Sequence, residues 1–174
     1  SKIMRVFVCG AGYVGLSIGL LLASAKKEVT IFEINKDKLS LLQKKKSPID
    51  DKTVQDYLLN FHEKIFFTSD IEAFIDQDLI VIATPTNYDE KKQYFDTLSV
   101  EQCIKKAAEL SPSASIVIKS TVPVGFTDKI KNDLKIKKSS HIRLLQIVLD
   151  ESGYSAMLKN KKDLDNENRL ENIK

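Results

Sequence analysis

Cysteine and histidine are too scarce in this chain to build a metal centre or a disulfide framework. Cys9 and Cys103 stand 94 positions apart, there is no CxxC pair, and His62 and His141 are the only histidines. Neither a zinc cluster nor a set of bridges is supported, and a reducing cytoplasm is the expected setting. With six glycines and four prolines in 174 residues the chain is neither collagen-like nor disordered, and 43% hydrophobic against 29% charged residues is enough to bury a core. The net charge of +3 is too small to argue for a nucleic-acid partner. No GxxxxGK[ST] occurs, which excludes a P-loop, and no internal repeat or low-complexity tract is visible. The length suits one domain, or one domain with an appendage, rather than a multi-domain enzyme.

Long uncharged runs are also rare, with one exception. Val6 to Ala25 carries no charge, follows Lys2 and Arg5, and ends in Ala23-Ser24-Ala25, which imitates a signal-peptidase site. Gly10, Gly12, Gly15 and Gly19 divide it, however. Met4 to Cys9 then reads as a short buried strand and Leu16 to Ala25 as part of a helix, so no secretion signal or membrane span is expected.

The elements alternate regularly. Strands are expected at 4–9, 28–34, 65–68, 78–84 and 115–121, with helices at 13–26, 36–46, 51–61, 70–76, 99–110 and 125–135. Strands built from unbroken apolar runs, such as Leu79-Ile80-Val81-Ile82, belong in a parallel sheet covered on both faces. The expected fold is therefore α/β, a doubly wound parallel sheet.

Gly10-Ala11-Gly12-Tyr13-Val14-Gly15 is a GxGxxG between the first strand and the first helix. The first glycine makes the tight turn, the second lets backbone approach a pyrophosphate, and the third lets helix pack on strand. The helix N-terminus adds unpaired N–H groups and a partial positive charge. By itself the motif reads equally as a structural turn. Glu33, 21 residues after Gly12 at the end of the next strand, is where an acidic side chain takes adenosine ribose hydroxyls. A 2′-phosphate there would meet repulsion of roughly 4 kcal/mol at 4 Å with an effective dielectric near 20. No arginine lies between Arg5 and Arg143 to offset it, so NAD is preferred over NADP. Lys38, one helical turn on, either reaches the ribose or a phosphate or is simply a solvated helix lysine.

Ala83-Thr84-Pro85-Thr86-Asn87 and Lys119-Ser120-Thr121-Val122-Pro123-Val124-Gly125 lie at expected strand ends on the same sheet edge as the glycine loop. Each places hydroxyls before a strand-stopping proline, a pattern that turn chemistry alone would also produce.

These motifs, together with Thr84 to Tyr88, Tyr94 to Thr97 and Lys119 to Phe126, resemble in order and spacing the N-terminal NAD-binding domain of the UDP-glucose/GDP-mannose dehydrogenase family. The resemblance covers about residues 3–135. It implies a Rossmann domain at 1–135 and oxidation of the C6 hydroxyl of UDP-glucose to a carboxylate in two NAD-dependent steps, through a cysteine-bound thiohemiacetal and thioester. It implies cofactor contacts at Val14, Glu33, Lys38, Thr86 and Thr121, and help from the Thr121 hydroxyl in positioning catalytic water. Glu33 stands where the family more often has aspartate. The candidate cofactor residues are thus Gly10, Gly12, Tyr13, Val14, Gly15, Glu33, Lys38, Thr84, Pro85, Thr86 and Thr121, with Thr121 also the candidate catalytic residue.

After Phe126 the sequence departs from the family's pattern. The family's next strand, its Ser-Pro-Glu-Phe-Leu-Arg-Glu segment and the second domain with its catalytic Lys, Asn, Cys and Asp are expected to have no counterpart in these residues. Cys103 shares a helical face with Val100, Ile104 and Ala107, and Cys9 lies inside the first strand, so both read as packed thiols. The expectation is a truncated dehydrogenase that holds NAD without turnover; an NAD-binding module or a non-functional remnant is the alternative. Residues 136–174 read as a linker and an unrelated, helical tail. Leu149 to Ile173 resembles a short internal piece of UvrD-type helicases, and its six basic and six acidic residues from His141 onward balance. Ile142 to Leu149 is too short for periodicity to decide, but Gly153 as a stop favours a helix over 141–151, and Asp163 is a plausible cap for a final one. Without a native partner such helices are expected to pack loosely, and a sheet edge left uncovered would invite self-association.

Overall fold

The computed structural model describes residues 2–85, 88–89, 94–95, 98–120, 122–136, 143–146 and 158–163. Its centre is a six-stranded sheet of β1 (Arg5–Cys9), β2 (Glu28–Phe32), β3 (Ile65–Thr68), β4 (Leu79–Ile82), β7 (Ser115–Ile118) and β8 (Arg143–Gln146). The spatial order is β3-β2-β1-β4-β7-β8 and every pairing is parallel. Counted within the sheet alone this is the 3-2-1-4-5-6 order of a doubly wound Rossmann fold, as expected. A two-stranded antiparallel pair, β5 (Tyr88–Asp89) with β6 (Tyr94–Phe95), stands apart from it and was not anticipated.

The two-residue side-chain period sorts each central strand between two cores. Val6 and Val8 of β1 join Val29, Ile31 and Val81 beneath α1 (Tyr13–Ser24) and α3 (Lys52–Phe61). Phe7 and Cys9 turn the other way, with Ile80, Ile82, Ile116 and Ile118, beneath α4 (Leu98–Leu110) and α5 (Phe126–Ile136). Each aliphatic side chain so buried contributes roughly 1.5–3 kcal/mol. Helices on both faces explain why the strands are apolar throughout rather than alternating. α2 (Lys36–Gln43) and α3 start where side-chain oxygens of Asn35 and Asp51 accept the N–H groups of Lys38 and Val54 at 3.0 and 2.9 Å.

The uncharged run Val6 to Ala25 divides into β1, the glycine loop and α1. Among the described residues no helix is long and apolar enough to cross a membrane.

The helix expected over 141–151 is corrected by β8. Arg143–Gln146 pairs in parallel with Ser115–Ile118. An apolar run of eight residues carries too little periodicity to choose its own structure, and the open edge of β7 offers a row of unpaired N–H and C=O groups that a strand satisfies. The edge on which self-association was argued is therefore covered, and β3 and β8 form the outer strands.

Beyond β8, residues 158–163 form a helix, α6, so Asp163 lies within a helix rather than capping the start of one. Leu158 is fully buried in the core beneath α1 and α3, and the Tyr57 hydroxyl donates to its carbonyl at 2.8 Å. Lys162 pairs with Asp56 on the surface of α3. This part of the tail is thus packed on the domain. The rest of the helicase-like stretch lies outside the described residues.

Candidate cofactor site

β1 has β2 on one side and β4 on the other, so the chain order reverses at the C-terminal ends of β1 and β4. Ligands of open α/β sheets bind in this crevice. The glycine loop fills its near side. Gly10 donates to the Phe32 carbonyl and Ala83 to the Cys9 carbonyl, both at 2.8 Å, which brings three strand ends together. Gly10 has φ +97, and a Cβ there would stand 2.7 Å from the Ala83 carbonyl oxygen. A Cβ on Gly15 would stand 1.9 Å from the Gly10 carbonyl oxygen, so Gly15 is what lets α1 seat against its own loop. Gly12 differs from both, because a Cβ there would meet nothing within 4 Å. The open space lies in front of the helix N-terminus.

Gly12 is the N-cap residue of α1, no side chain caps that end, and its first turn carries no acidic residue. Its N-terminal N–H groups and the helix dipole therefore meet the cleft with no carboxylate in the helix's own first turn. The Tyr13 hydroxyl donates to Asp51 Oδ2 at 3.2 Å while Oδ1 of the same carboxylate caps α3, fixing α1 against α3 at the rim.

Glu33 follows β2 and is 8% exposed. Its Oε1 accepts the Ala11 N–H at 3.0 Å and its Oε2 the Asn35 N–H at 2.9 Å. A carboxylate oxygen has two acceptor positions, so one on each remains for a ligand hydroxyl. Lys38 lines the same cleft from the first turn of α2.

On the far side, Ala83, Thr84 and Pro85 follow β4, and Lys119 and Ser120 follow β7. Ser120 Oγ donates to the Thr84 carbonyl at 2.5 Å, clasping the two segments together. Thr84 Oγ1 is buried and has no hydrogen-bond partner among the described residues. Thr86, Asn87 and Thr121 lie outside the described residues, so the contacts expected of Thr86 and Thr121 are not placed.

One cleft of about 980 Å³ unites Gly10, Gly12, Tyr13, Val14, Glu33, Lys38, Thr84 and Pro85. Gly15 does not line it and supports it from behind. The volume is at the upper end for a small-molecule site and suits an extended ligand. The open space at Gly12, the uncapped helix end and the orphaned Thr84 hydroxyl are all features that a bound dinucleotide would use.

Sequence reasoning missed one wall. Ser99, Gln102 and Lys106, at i, i+3 and i+7 along α4, face the cleft, as do Ile34 and Ile71, which are 72% and 49% exposed. Cys103 lines it as well, although Val100, Cys103, Ile104 and Ala107 are all buried as expected. The polar spacing on α4 is visible in the sequence, but nothing there marks which flank of the helix turns to the cleft.

The family model for the NAD-binding domain of the UDP-glucose/GDP-mannose dehydrogenase family matches residues 4–152, which extends the family likeness past residue 135 and includes β8, so the strand expected to be missing after Phe126 is present. UDP-glucose 6-dehydrogenase of Campylobacter jejuni is 38% identical over 130 residues, covering 74% of this chain and 33% of that protein. The enzyme of the same name from Streptococcus pneumoniae is 40% identical over 129 residues, covering 74% and 32%. The chain thus spans about a third of the length of these curated relatives. Among solved structures, a ternary complex of GDP-mannose dehydrogenase from Pseudomonas aeruginosa superposes with a TM-score of 0.76 at 20% identity, covering 87% of this chain and 38% of that one. A UDP-D-ManNAc dehydrogenase from Pyrococcus horikoshii gives 0.75 at 22%, covering 84% and 36%. At such identities the likeness shows the fold.

Proposed function

The chain belongs to the UDP-glucose/GDP-mannose dehydrogenase family, whose NAD-binding domain it carries, and from that premise we propose that it holds NAD for the oxidation of UDP-glucose to UDP-glucuronate. The observation that carries this reading is the juxtaposition of Gly12, open towards the uncapped end of α1, with the Glu33 carboxylate across the same cleft. The two relatives above supply the choice of UDP-glucose among nucleotide sugars.

In this reading the N-terminus of α1 and the Gly12 backbone take the pyrophosphate, where charge at a helix end is worth roughly 0.3–1 kcal/mol and about 2 when partly buried. Glu33 accepts the hydroxyls of the adenosine ribose while its remaining lone pairs hold Ala11 and Asn35. The exposed apolar surfaces of Ile34 and Ile71 offer a seat for the adenine ring. Lys38 stands beside the ribose. Thr84 and Pro85 line the opposite end. The family resemblance adds cofactor contacts from Thr86 and Thr121, with the Thr121 hydroxyl helping to position water. NAD, when bound, supplies the hydride acceptor.

Turnover needs a base and a thiolate that attacks the sugar aldehyde. Cys9 and Cys103 are free thiols packed in the hydrophobic core beneath α4, and burial pushes the Cys9 thiol above its ordinary pKa, so we assign this role to neither. We therefore assign cofactor binding, without oxidation of UDP-glucose, to these 174 residues by themselves. The setting proposed is the cytoplasm. No nucleic-acid partner is assigned, since the basic and acidic residues from His141 onward balance. The test is a paired assay on one sample, NADH binding by fluorescence and NADH production from NAD plus UDP-glucose. Binding without production is expected. Sustained production would overturn the assignment, and absence of binding would sink the reading of the cleft.

A further inference from the structure

Phe32, which ends β2, and Phe74, in the short 3-10 turn Ile71–Phe74, pack ring against ring with centroids 5.3 Å apart, and that turn lies against α4. Cys103 of α4 is buried in the same cluster. Glu33 and Ile34 directly follow Phe32, Ile71 precedes Phe74 by one turn and Gln102 precedes Cys103, so all four come out of one packed corner onto the cleft that they line. Glu33 takes the ribose hydroxyls in the reading above, and the exposed faces of Ile34 and Ile71 give the attached base apolar contact without distinguishing one purine from another. We propose that Gln102 makes the site specific for adenine, its carboxamide accepting from the 6-amino group and donating to N7.

The choice of Gln102 follows from what the polar groups of this wall can do. A base edge that sets a donor beside an acceptor is matched by a planar carboxamide, which carries one of each, and glutamine reads adenine N6 and N7 in this way in nucleic acids. Gln102 is exposed, and among the described residues its carboxamide makes no hydrogen bond. Asn35, the other amide side chain that lines the cleft, has its Oδ1 taken by the Lys38 N–H at 3.0 Å. Lys106, one turn beyond Gln102, pairs with Glu109 at 3.2 Å, and an ammonium only donates. Ser99, one turn before Gln102, offers a single hydroxyl on a short stem. Hypoxanthine differs from adenine at the position being read: its 6-oxo group accepts where the 6-amino group donates, so the carboxamide keeps one bond of the two.

This role rests on the cleft being the NAD site, and one set of titrations separates the two. NADH and reduced nicotinamide hypoxanthine dinucleotide, which keeps the riboses, pyrophosphate and nicotinamide, are titrated by fluorescence against the full 174-residue chain. NADH should bind roughly tenfold tighter, within the range that a bidentate base contact gives. Gln102→Leu, a change of similar size at an exposed helical position, should weaken NADH about tenfold more than the hypoxanthine form, so that the preference disappears. A residue that only supported the wall would weaken both alike. Gln102→Arg, whose guanidinium donates to O6 and N7 together, should reverse the preference. Equal affinities in the unmodified chain, or a preference for NADH that survives in both variants, would overturn the role of Gln102 and leave NAD binding at the cleft standing. If neither dinucleotide binds, the reading of the cleft fails and the role of Gln102 with it.

Discussion

The Glu33 carboxylate accepts the backbone N–H of Ala11 at 3.0 Å, so the residue that ends β2 holds the glycine loop that ends β1. One side chain then serves both the shape of the anion site and the choice of cofactor. Titration of the unmodified chain should show tighter binding of NADH than of NADPH, whose 2′-phosphate faces the carboxylate. Glu33→Gln keeps an acceptor for Ala11 but sets an amide NH2 against the Asn35 N–H that Oε2 accepted, and removes the charge; it should narrow the gap and lower thermal stability, though by less than Glu33→Ala. Glu33→Ala should narrow it too, and by stranding the Ala11 and Asn35 N–H groups should destabilise the chain by about 1–3 kcal/mol or more in urea unfolding. Equal NADH and NADPH affinities in the unmodified chain would refute the role of Glu33.

The glycines of the loop should separate into two classes. Gly12→Val places its side chain in open space, at φ −73 and ψ −173, a backbone conformation that valine accepts. The variant should unfold like the parent and yet lose NADH binding, because valine occupies the volume the pyrophosphate needs. Gly15→Ala sets a Cβ 1.9 Å from the Gly10 carbonyl oxygen and must displace backbone, at a cost of about 1–3 kcal/mol or more. Its loss of binding should come with a lowered melting temperature. Calorimetry and fluorescence titration on the two proteins check the distinction, and an unstable Gly12→Val would contradict it.

Ser120→Ala removes the donor that clasps the segment after β7 to the segment after β4. Leaving the Thr84 carbonyl without that partner should lower stability by about 1–3 kcal/mol and weaken NADH binding through the displaced Thr84 and Pro85. Unchanged urea midpoint and unchanged affinity together would show that the clasp has no influence on the cleft.

What the sequence disclosed and what it hid follow the range of the interactions concerned. The order of strands and the loop from Gly10 to Gly15 are readable because spacing alone carries them, and Glu33 because it ends the next strand. The bond from Ala11 to Glu33 joins residues 22 apart through two adjacent strand ends, and no local pattern announces it. β8 is hidden from the sequence for a related reason. The partner that makes Arg143–Gln146 a strand is Ser115–Ile118, and the pairing exists only once α5 has carried the chain across the sheet. The face that α4 shows to the cleft is likewise set by its packing under β4 and β7, so Ser99, Gln102 and Lys106 became site residues only in three dimensions.

The docking of α6 on α3 provides a pH-dependent test. Asp56 has its pKa lowered, chiefly by the hydrogen bond from the Lys162 ammonium, which outweighs the opposing effect of desolvation, and further by the charges of Lys162 and Lys52. A carboxyl whose folded pKa is depressed contributes its interaction above the unfolded value and loses it as pH falls through the folded one. The contact between Asp56 and Lys162 should therefore hold from neutral pH down to the ordinary aspartate range near 3.8, and be lost below it. An NMR titration should place the Asp56 midpoint below that value, and Lys162→Ala should raise it. The Tyr57 hydroxyl is the second anchor, donating to the Leu158 carbonyl in a buried position. Tyr57→Phe removes a bond worth about 1 kcal/mol, so amide protection over 158–163 should fall roughly fivefold at neutral pH, where the ion pair is intact. If neither Lys162→Ala nor Tyr57→Phe changes protection in this helix, α6 is held by the burial of Leu158 alone.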